Sequence, residues 1–288
     1  MKSLTIISGV PPGPSGTGRF VEYLKEQGAT LVCPPLPKEP ITQMIREGRI
    51  ISLIFERIYN YIYRFVFKIQ LRHLETKNNL HILILHPQLL GMQKTIQFIH
   101  NSSARIYMYI LDNSYFCVRS YNYLPGTSEP CMKCLGGDLL AQKKNKCQPF
   151  PVPGSYATEY IKELMNLVKT GRVRLLAQCD SQALLAKKHF GVDILVVGLW
   201  AKDWDDVFEN HTNFDTDKGG WDVVFHGFSQ DAKGAGWLLE VASFCPELNF
   251  LFPFPKLWLL NNEHKDNKNC TFRYIKWEEG LREEVALA

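Results

Sequence analysis

The first two thirds of the chain alternate short apolar runs with longer stretches in which apolar residues recur at helical spacing. Near-continuous apolar runs of this length are typical of parallel strands that are buried on both faces of a sheet. The predicted strands lie within residues 4–10, 29–35, 80–86, 104–112, 173–180 and 192–198. Because helical or polar segments separate them, we predict an α/β fold with a doubly wound, Rossmann-like parallel sheet over residues 1–200.

The same β-α-β pattern begins again after a polar, turn-rich segment. A predicted strand at 221–227 is followed by a predicted helix at 232–247 and by another strand at 248–255. We therefore predict two domains, 1–200 and 201–288, the second being the beginning of another Rossmann-like domain. A whole domain of that kind takes about 100–200 residues, so we expect the second domain to be incomplete in this chain.

A long helix is predicted at 41–74, where apolar residues recur at helical spacing over many turns. Charged residues such as Glu56, Arg57 and Arg64 interrupt the apolar pattern and exclude a transmembrane span. Aromatic residues mixed with basic ones also occur in interfacial helices that lie on an anionic membrane surface. A helix packed on a sheet shows much the same pattern, and we favour this core interpretation because tertiary packing explains most amphipathic helices.

Composition and charge narrow the class of protein. The 288 residues are 45% hydrophobic, and the net charge of +4 is spread along the chain rather than clustered. This distribution gives no support to nucleic-acid binding. The N-terminal apolar run stops at a proline and is too short for a signal peptide or a membrane span. We expect a cytoplasmic protein, with peripheral contact at the inner face of the membrane left open.

Polar residues follow three of the predicted strands, and the carboxyl ends of parallel strands share one edge of a sheet. The loop after the first strand carries Gly16, Thr17 and Gly18 just before a helix, whose free N–H groups can hold an anion or sugar hydroxyls. His86 and Asp112 follow two later strands. Each has a simpler interpretation: a turn glycine, a strand end and a helix N-cap. The loop matches neither the dinucleotide fingerprint nor the P-loop, so neither NAD binding nor ATP hydrolysis is indicated.

The block at 221–255 carries a second group of candidate ligands. Gly227 ends a predicted strand, and Lys233 lies at the N-terminus of the following helix. There an ammonium group and backbone N–H groups can converge on a diphosphate.

This block resembles the nucleotide-binding domain of GT-B glycosyltransferases, in particular the retaining family 4 type (glycosyl transferase group 1), in which a strand ending in glycine is followed by a basic residue, a glycine and a helix. Gly227 and Lys233 match that pattern, whereas Phe228 stands where many relatives carry a second phosphate ligand, Arg. The glycine loop and the segment around Asp112 are also similar to the family, although Leu111 replaces its usual histidine.

The resemblance implies an enzyme of polysaccharide biosynthesis that transfers a sugar from a nucleotide-sugar donor to a glycan or lipid-linked acceptor. It places acceptor recognition and the catalytic residue Asp112 in the first domain, and the donor in the second. We expect His86, at the same predicted edge, to compensate for the missing histidine as the second catalytic residue. An alternative is a non-catalytic α/β binding module with a zinc-stapled loop. The donor, the acceptor and the oligomeric state are left open.

Four of the eight cysteines fall in one turn-rich stretch with the spacing Cys-x13-Cys-x2-Cys-x12-Cys: Cys117, Cys131, Cys134 and Cys147. Disulfides are not expected in a reducing compartment. Tetrahedral zinc takes four soft ligands, and Cys-x2-Cys supplies a preformed pair. We predict a structural zinc; an iron–sulfur centre would use the same ligands, and buried free cysteines are the simpler alternative.

Overall fold

The computed structural model describes residues 4–13, 15–35, 49–124, 130–154, 156–198, 220–225, 227, 233–256 and 267–275. The chain divides into two compact units. Unit 1 comprises residues 1–122 and 131–204, and unit 2 comprises 123–130 and 205–288. The domain boundary predicted near residue 200 lies outside the described residues, as does Phe228.

Unit 1 is an α/β structure with a six-stranded, fully parallel sheet, which confirms the predicted α/β class and the predicted parallel sheet. Its strands are β1 (Leu4–Ser8), β2 (Thr30–Val32), β3 (His81–Leu85), β4 (Arg105–Tyr109), β5 (Val173–Ala177) and β6 (Leu195–Val196). Its helices are α1 (Gly16–Glu26), α2 (Ile50–Glu75), α3 (Pro87–Leu90), α4 (Met92–Asn101), α5 (Leu140–Lys144), α6 (Ala157–Lys169) and α7 (Asp180–Phe190).

The continuous apolar character of the strands has a direct structural cause. Successive side chains of a strand point to opposite faces of its sheet. In β3, Ile82 and Ile84 belong to one buried cluster, while Leu83 and Leu85 belong to another. Both faces of the strand therefore need apolar residues, as the sequence pattern predicts.

The strand order β2-β1-β3-β4-β5-β6 places β1 between β2 and β3. The direction in which the chain adds strands reverses at this point, and in open α/β sheets the crevice at such a reversal is where ligands bind. Ser8 at the end of β1 pairs with Leu85 at the end of β3. The loops that begin at Gly9 and His86 therefore start side by side.

Helix α2 packs against the core as predicted, but through one of its sides only. Phe67 and Leu74 are its only buried residues among 26, and Leu71 is partly buried against the same core. Most of its large apolar side chains are exposed. The helix carries apolar residues on two sides, and the sheet covers one of them. Residues 41–48 of the predicted helix lie outside the described residues.

Unit 2 contains a three-stranded parallel sheet of order β7-β8-β9, formed by β7 (Val223–Val224), β8 (Phe250–Phe252) and β9 (Cys270–Phe272). Helix α8 (Ala235–Phe244) lies between the first two strands in the chain. The core of this unit is rich in phenylalanine: Phe225, Phe250, Phe252 and Phe254 are all buried. Strand β9 had not been predicted. Among the described helices of both units, none is long and apolar enough to cross a bilayer.

Candidate functional site

The structure places the glycine loop, His86 and Asp112 at one edge of the sheet in unit 1. They follow β1, β3 and β4, which are adjacent and parallel. Asp112 lies three residues beyond Tyr109, the last residue of β4, and His86 comes directly after β3. The three predicted site segments therefore share the carboxyl edge beside the point where the strand order reverses.

One backbone N–H group at the glycine loop already has a hydrogen-bond partner within the protein. Ser15 caps α1, because its Oγ accepts the Gly18 backbone N–H at 3.0 Å. A Cβ on Gly18 would lie 2.7 Å from the Gly13 carbonyl oxygen, so the loop folds back onto the first turn of α1 only because residue 18 is glycine. The Ser15 cap uses the backbone N–H of Gly18 and leaves those of Gly16 and Thr17, the other two members of the predicted set, outside it.

Gly9, which sequence reasoning did not single out, connects the glycine loop with His86. Its N–H donates to the Leu85 carbonyl oxygen at 3.0 Å. A Cβ at this position would collide with the His86 carbonyl oxygen and would lie 2.9 Å from the Leu89 Cβ. His86 itself adopts a left-handed conformation with φ 53° and ψ 61°. Such a conformation is strained in a residue other than glycine, and strain of this kind clusters at functional sites.

Gln88 and Asp112 form one hydrogen-bonded group at the cavity that His86 also lines. The Gln88 Nε2 amide donates to both carboxylate oxygens of Asp112, at 3.0 and 2.8 Å. The Ser114 backbone N–H donates to Asp112 Oδ1 at 2.9 Å. Burial lowers the pKa of His86, and the Asp112 carboxylate opposes this shift by favouring the imidazolium. His86 is therefore neutral at pH 7 and retains one ring nitrogen as a hydrogen-bond acceptor.

A cavity of about 30 Å³ opens among these residues. His86, Gln88, Asp112, Tyr115 and Tyr160 all line it. Three buried polar atoms on its wall, His86 Nδ1, Gln88 Oε1 and the Tyr115 hydroxyl, have no hydrogen-bond partner within the described part of the chain. Burial and the nearby Asp112 carboxylate raise the pKa of both tyrosines, so each keeps its O–H donor at neutral pH.

Buried polar atoms normally have partners, so three unpaired atoms around one space indicate that the space receives a polar group. A cavity of this size accommodates a water molecule or a single hydroxyl group. It offers a carboxylate, a neutral imidazole and an amide oxygen as acceptors, together with a phenol as donor. This arrangement can hold and orient a hydroxyl group. It is too small for a sugar ring, which would lie outside its mouth.

Neither Gln88 nor Tyr115 had been predicted as part of the site. Each is buried, at 5% and 3% exposure. In the sequence Gln88 is 24 residues from Asp112, and no local motif links them. The pairing of their strands brings them together.

In unit 2 the structure brings Gly227 and Lys233 close together. A Cβ on Gly227 would lie 3.7 Å from the Lys233 Cβ. Lys233 immediately precedes Gly234, which is the N-cap of α8 and has φ 84°. No side chain of a described residue caps this helix end. Its first backbone N–H groups and the Lys233 ammonium therefore lie on the same short segment.

The four clustered cysteines are all half-buried and reduced. Burial raises the pKa of the Cys117 thiol to about 12, and the thiols of Cys131, Cys134 and Cys147 contribute to this increase. Burial also raises the pKa of the Cys134 thiol, with smaller contributions from Cys131 and Cys147. The four thiols thus share one neighbourhood. Within the described residues, however, no three His, Cys, Asp or Glu side chains are arranged to hold a metal ion, so structural zinc stays a prediction.

No protein-family model, curated protein or solved structure matches this chain. The class that the fold itself defines is an α/β protein with a parallel, Rossmann-like sheet and a polar cavity at its carboxyl edge.

Proposed function

We propose that the chain is a retaining GT-B-type glycosyltransferase similar to family 4, or the N-terminal part of one. Its reaction would transfer a sugar from a nucleotide-sugar donor to a hydroxyl group of a glycan or lipid-linked acceptor. The observation that carries the proposal is the cavity at the carboxyl edge, where His86, Gln88, Asp112 and Tyr115 surround a space of hydroxyl size.

In the proposed reaction the acceptor hydroxyl enters this cavity. Its oxygen forms a bond to the anomeric carbon of the donor sugar as the bond from that carbon to the diphosphate oxygen breaks. The nucleoside diphosphate leaves with the bonding electrons, and the hydroxyl proton passes to its departing oxygen. Asp112 and neutral His86 orient the hydroxyl, and the carboxylate stabilises positive charge that develops on the sugar.

Unit 2 supports the donor half of the proposal. A nucleotide sugar carries a diphosphate, and an ammonium group next to an uncapped helix N-terminus provides two kinds of favourable interaction with it. Lys233 and the first turn of α8 supply both on one segment. The predicted role of Gly227 is to let the backbone turn closely beside Lys233.

Binding of UDP, GDP and ADP to the 288-residue protein, measured by calorimetry, tests the donor half. Lys233→Ala should weaken the tightest of the three by about 10- to 150-fold, the scale of a hydrogen bond to a charged group. Lys268→Ala, an exposed lysine of the same unit, is the control and should bind as the wild type does. Equal nucleotide affinity of the two variants would show that Lys233 is not part of the proposed donor site.

Asp112→Asn tests the catalytic half. With UDP-, GDP- and ADP-sugars as donors, release of the nucleoside diphosphate in the presence of acceptor glycans should fall by at least about 100-fold, whereas donor affinity should stay within about twofold. Asp193→Asn is the control, because Asp193 forms only an exposed ion pair with Lys187. Full turnover in Asp112→Asn, with a folded protein by circular dichroism, would contradict the proposed role.

The same experiments distinguish the alternative of a non-catalytic binding module. That protein would bind a nucleotide or a glycan without releasing product from any donor. Unpaired polar atoms in a water-sized cavity fit either outcome, so turnover decides between the two.

A further inference from the structure

Helix α2 has an apolar side that the protein does not cover. Six large side chains, Ile51, Phe55, Ile58, Ile62, Phe65 and Ile69, are spaced alternately four and three residues apart. This spacing places them on one stripe of the helix. Each of the six is more than half exposed. We call this stripe the outer face of α2.

The outer face points away from the sheet. Leu53, Phe67, Leu71 and Leu74 form the side that turns toward the core: Phe67 and Leu74 are buried and the other two are half-buried. At about 100° per residue, this side and the outer face lie on roughly opposite sides of the helix. The helix therefore cannot bury both against the same sheet.

Basic residues form one exposed row beside this apolar surface. Arg57, Arg64 and Lys68 are exposed and lie seven and four residues apart. Around the helix axis this row, the basic edge, lies beyond the exposed Ile54 and Tyr61 and next to the core-facing side. The whole helix carries four Lys or Arg residues (Arg72 is the fourth) against two Glu. From Ile51 to Ile69 the stripe is about 27 Å long, because an α-helix rises ~1.5 Å per residue.

We propose that α2 docks unit 1 on an anionic lipid surface, with its outer face inserted at the boundary between headgroups and acyl chains. Apolar and aromatic side chains on one side and a basic edge beside them are the features of helices that lie in the plane of a membrane. Helix α2 carries charged residues and is not apolar enough to cross a bilayer. Both observations favour a helix that lies on the membrane over one that spans it. The proposal does not depend on the proposed transferase activity.

Charge complementarity favours lipid over a second copy of the chain. Anionic headgroups attract each basic residue near the surface, which strengthens binding by about fivefold per residue. A pair of α2 helices packed through the outer face would instead bring together two helices that each carry four basic and two acidic residues, which offers no opposite charge.

Flotation of the full chain with lipid vesicles tests the proposal. We expect binding to vesicles of 30% phosphatidylglycerol in phosphatidylcholine, little binding to phosphatidylcholine alone, and a decrease as salt is raised. Arg57→Gln/Arg64→Gln/Lys68→Gln should weaken binding by about 100-fold. Phe55→Ser/Phe65→Ser should weaken it by at least about 10-fold. The control Ser52→Ala/Gln70→Ala, on the same helix but off the stripe, should bind as the wild type does.

Circular dichroism and thermal unfolding check that each variant is folded; exposed substitutions of this kind change stability by about 0.5 kcal/mol or less. Size-exclusion chromatography with light scattering measures whether the protein binds a second copy of itself. The proposal would be overturned if the folded protein did not bind anionic vesicles, or if the basic-edge and phenylalanine variants bound them as tightly as the wild type. So would a dimer that Phe55→Ser/Phe65→Ser converts to a monomer without any vesicle binding by the wild type.

Discussion

Acidification should destabilise unit 1 through the buried histidine His189. Its side chain is 3% exposed and packs at α7 against the rings of Tyr115, Phe116 and Phe190. Its Nδ1 accepts the Gly136 backbone N–H at 3.0 Å. Protonation would put a hydrogen on Nδ1, directly opposite that N–H donor, and would leave a charge in an apolar site.

The size of the effect follows from the shift of the pKa. Burial, with a smaller contribution from Lys169, lowers the pKa of His189 to about 4 from an ordinary value of 6.5. Above pH 6.5 neither the folded nor the unfolded state is protonated at this residue, so the stability is fully present. Between pH 6.5 and 4 only the unfolded state binds the proton, and stability falls by about 1.4 kcal/mol per pH unit. The expected loss from His189 is about 2 kcal/mol at pH 5.

Urea unfolding followed by circular dichroism at pH 7.5 and pH 5 measures this loss. His189→Asn keeps an acceptor for the Gly136 N–H but cannot titrate, so its stability should fall less than that of the wild type by about 2 kcal/mol. His73→Asn, at an exposed histidine of α2, is the control for replacing a histidine by asparagine. His86, whose pKa is lowered too, is present in both the wild type and His189→Asn. Subtracting the stability losses of the two proteins therefore cancels its contribution. Equal losses in wild type and His189→Asn would refute the reasoning.

Two further predictions concern the glycine loop and the cysteines. Gly9→Ala should lower the free energy of unfolding by about 1–3 kcal/mol, because the new Cβ collides with the neighbouring loop. In Gly16→Ala the new Cβ meets nothing within 4 Å, so this variant should be as stable as the wild type or more stable. Thermal unfolding compares the two variants, and equal effects would contradict the described packing. If the cysteines hold the predicted zinc, metal analysis of protein purified without added metal should give about one equivalent, and Cys131→Ser should release it; protein free of zinc and iron would end that prediction.

Much of unit 1 could be predicted because its strands follow from local composition. A strand whose two faces are both buried must be apolar at every position, and such runs can be read directly from the sequence, as in β3. Parallel strands share their carboxyl edge, so the common location of His86 and Asp112 also follows from the order of the elements along the chain. The short strand β9 has no such continuous run and was missed.

Tertiary structure alone decided which residues complete the site and which helix face is covered. Gln88 joins Asp112 and Tyr115 because β3 and β4 are neighbours, and the pairing of strands is a property of the whole sheet. The need for glycine at position 9 arises from the His86 carbonyl, far away in the chain. In α2, periodicity reveals an apolar stripe on each of two sides, but a helix can turn only one of them to its sheet. Which one it turns depends on the fit of Phe67 and Leu74 against a core built by distant segments.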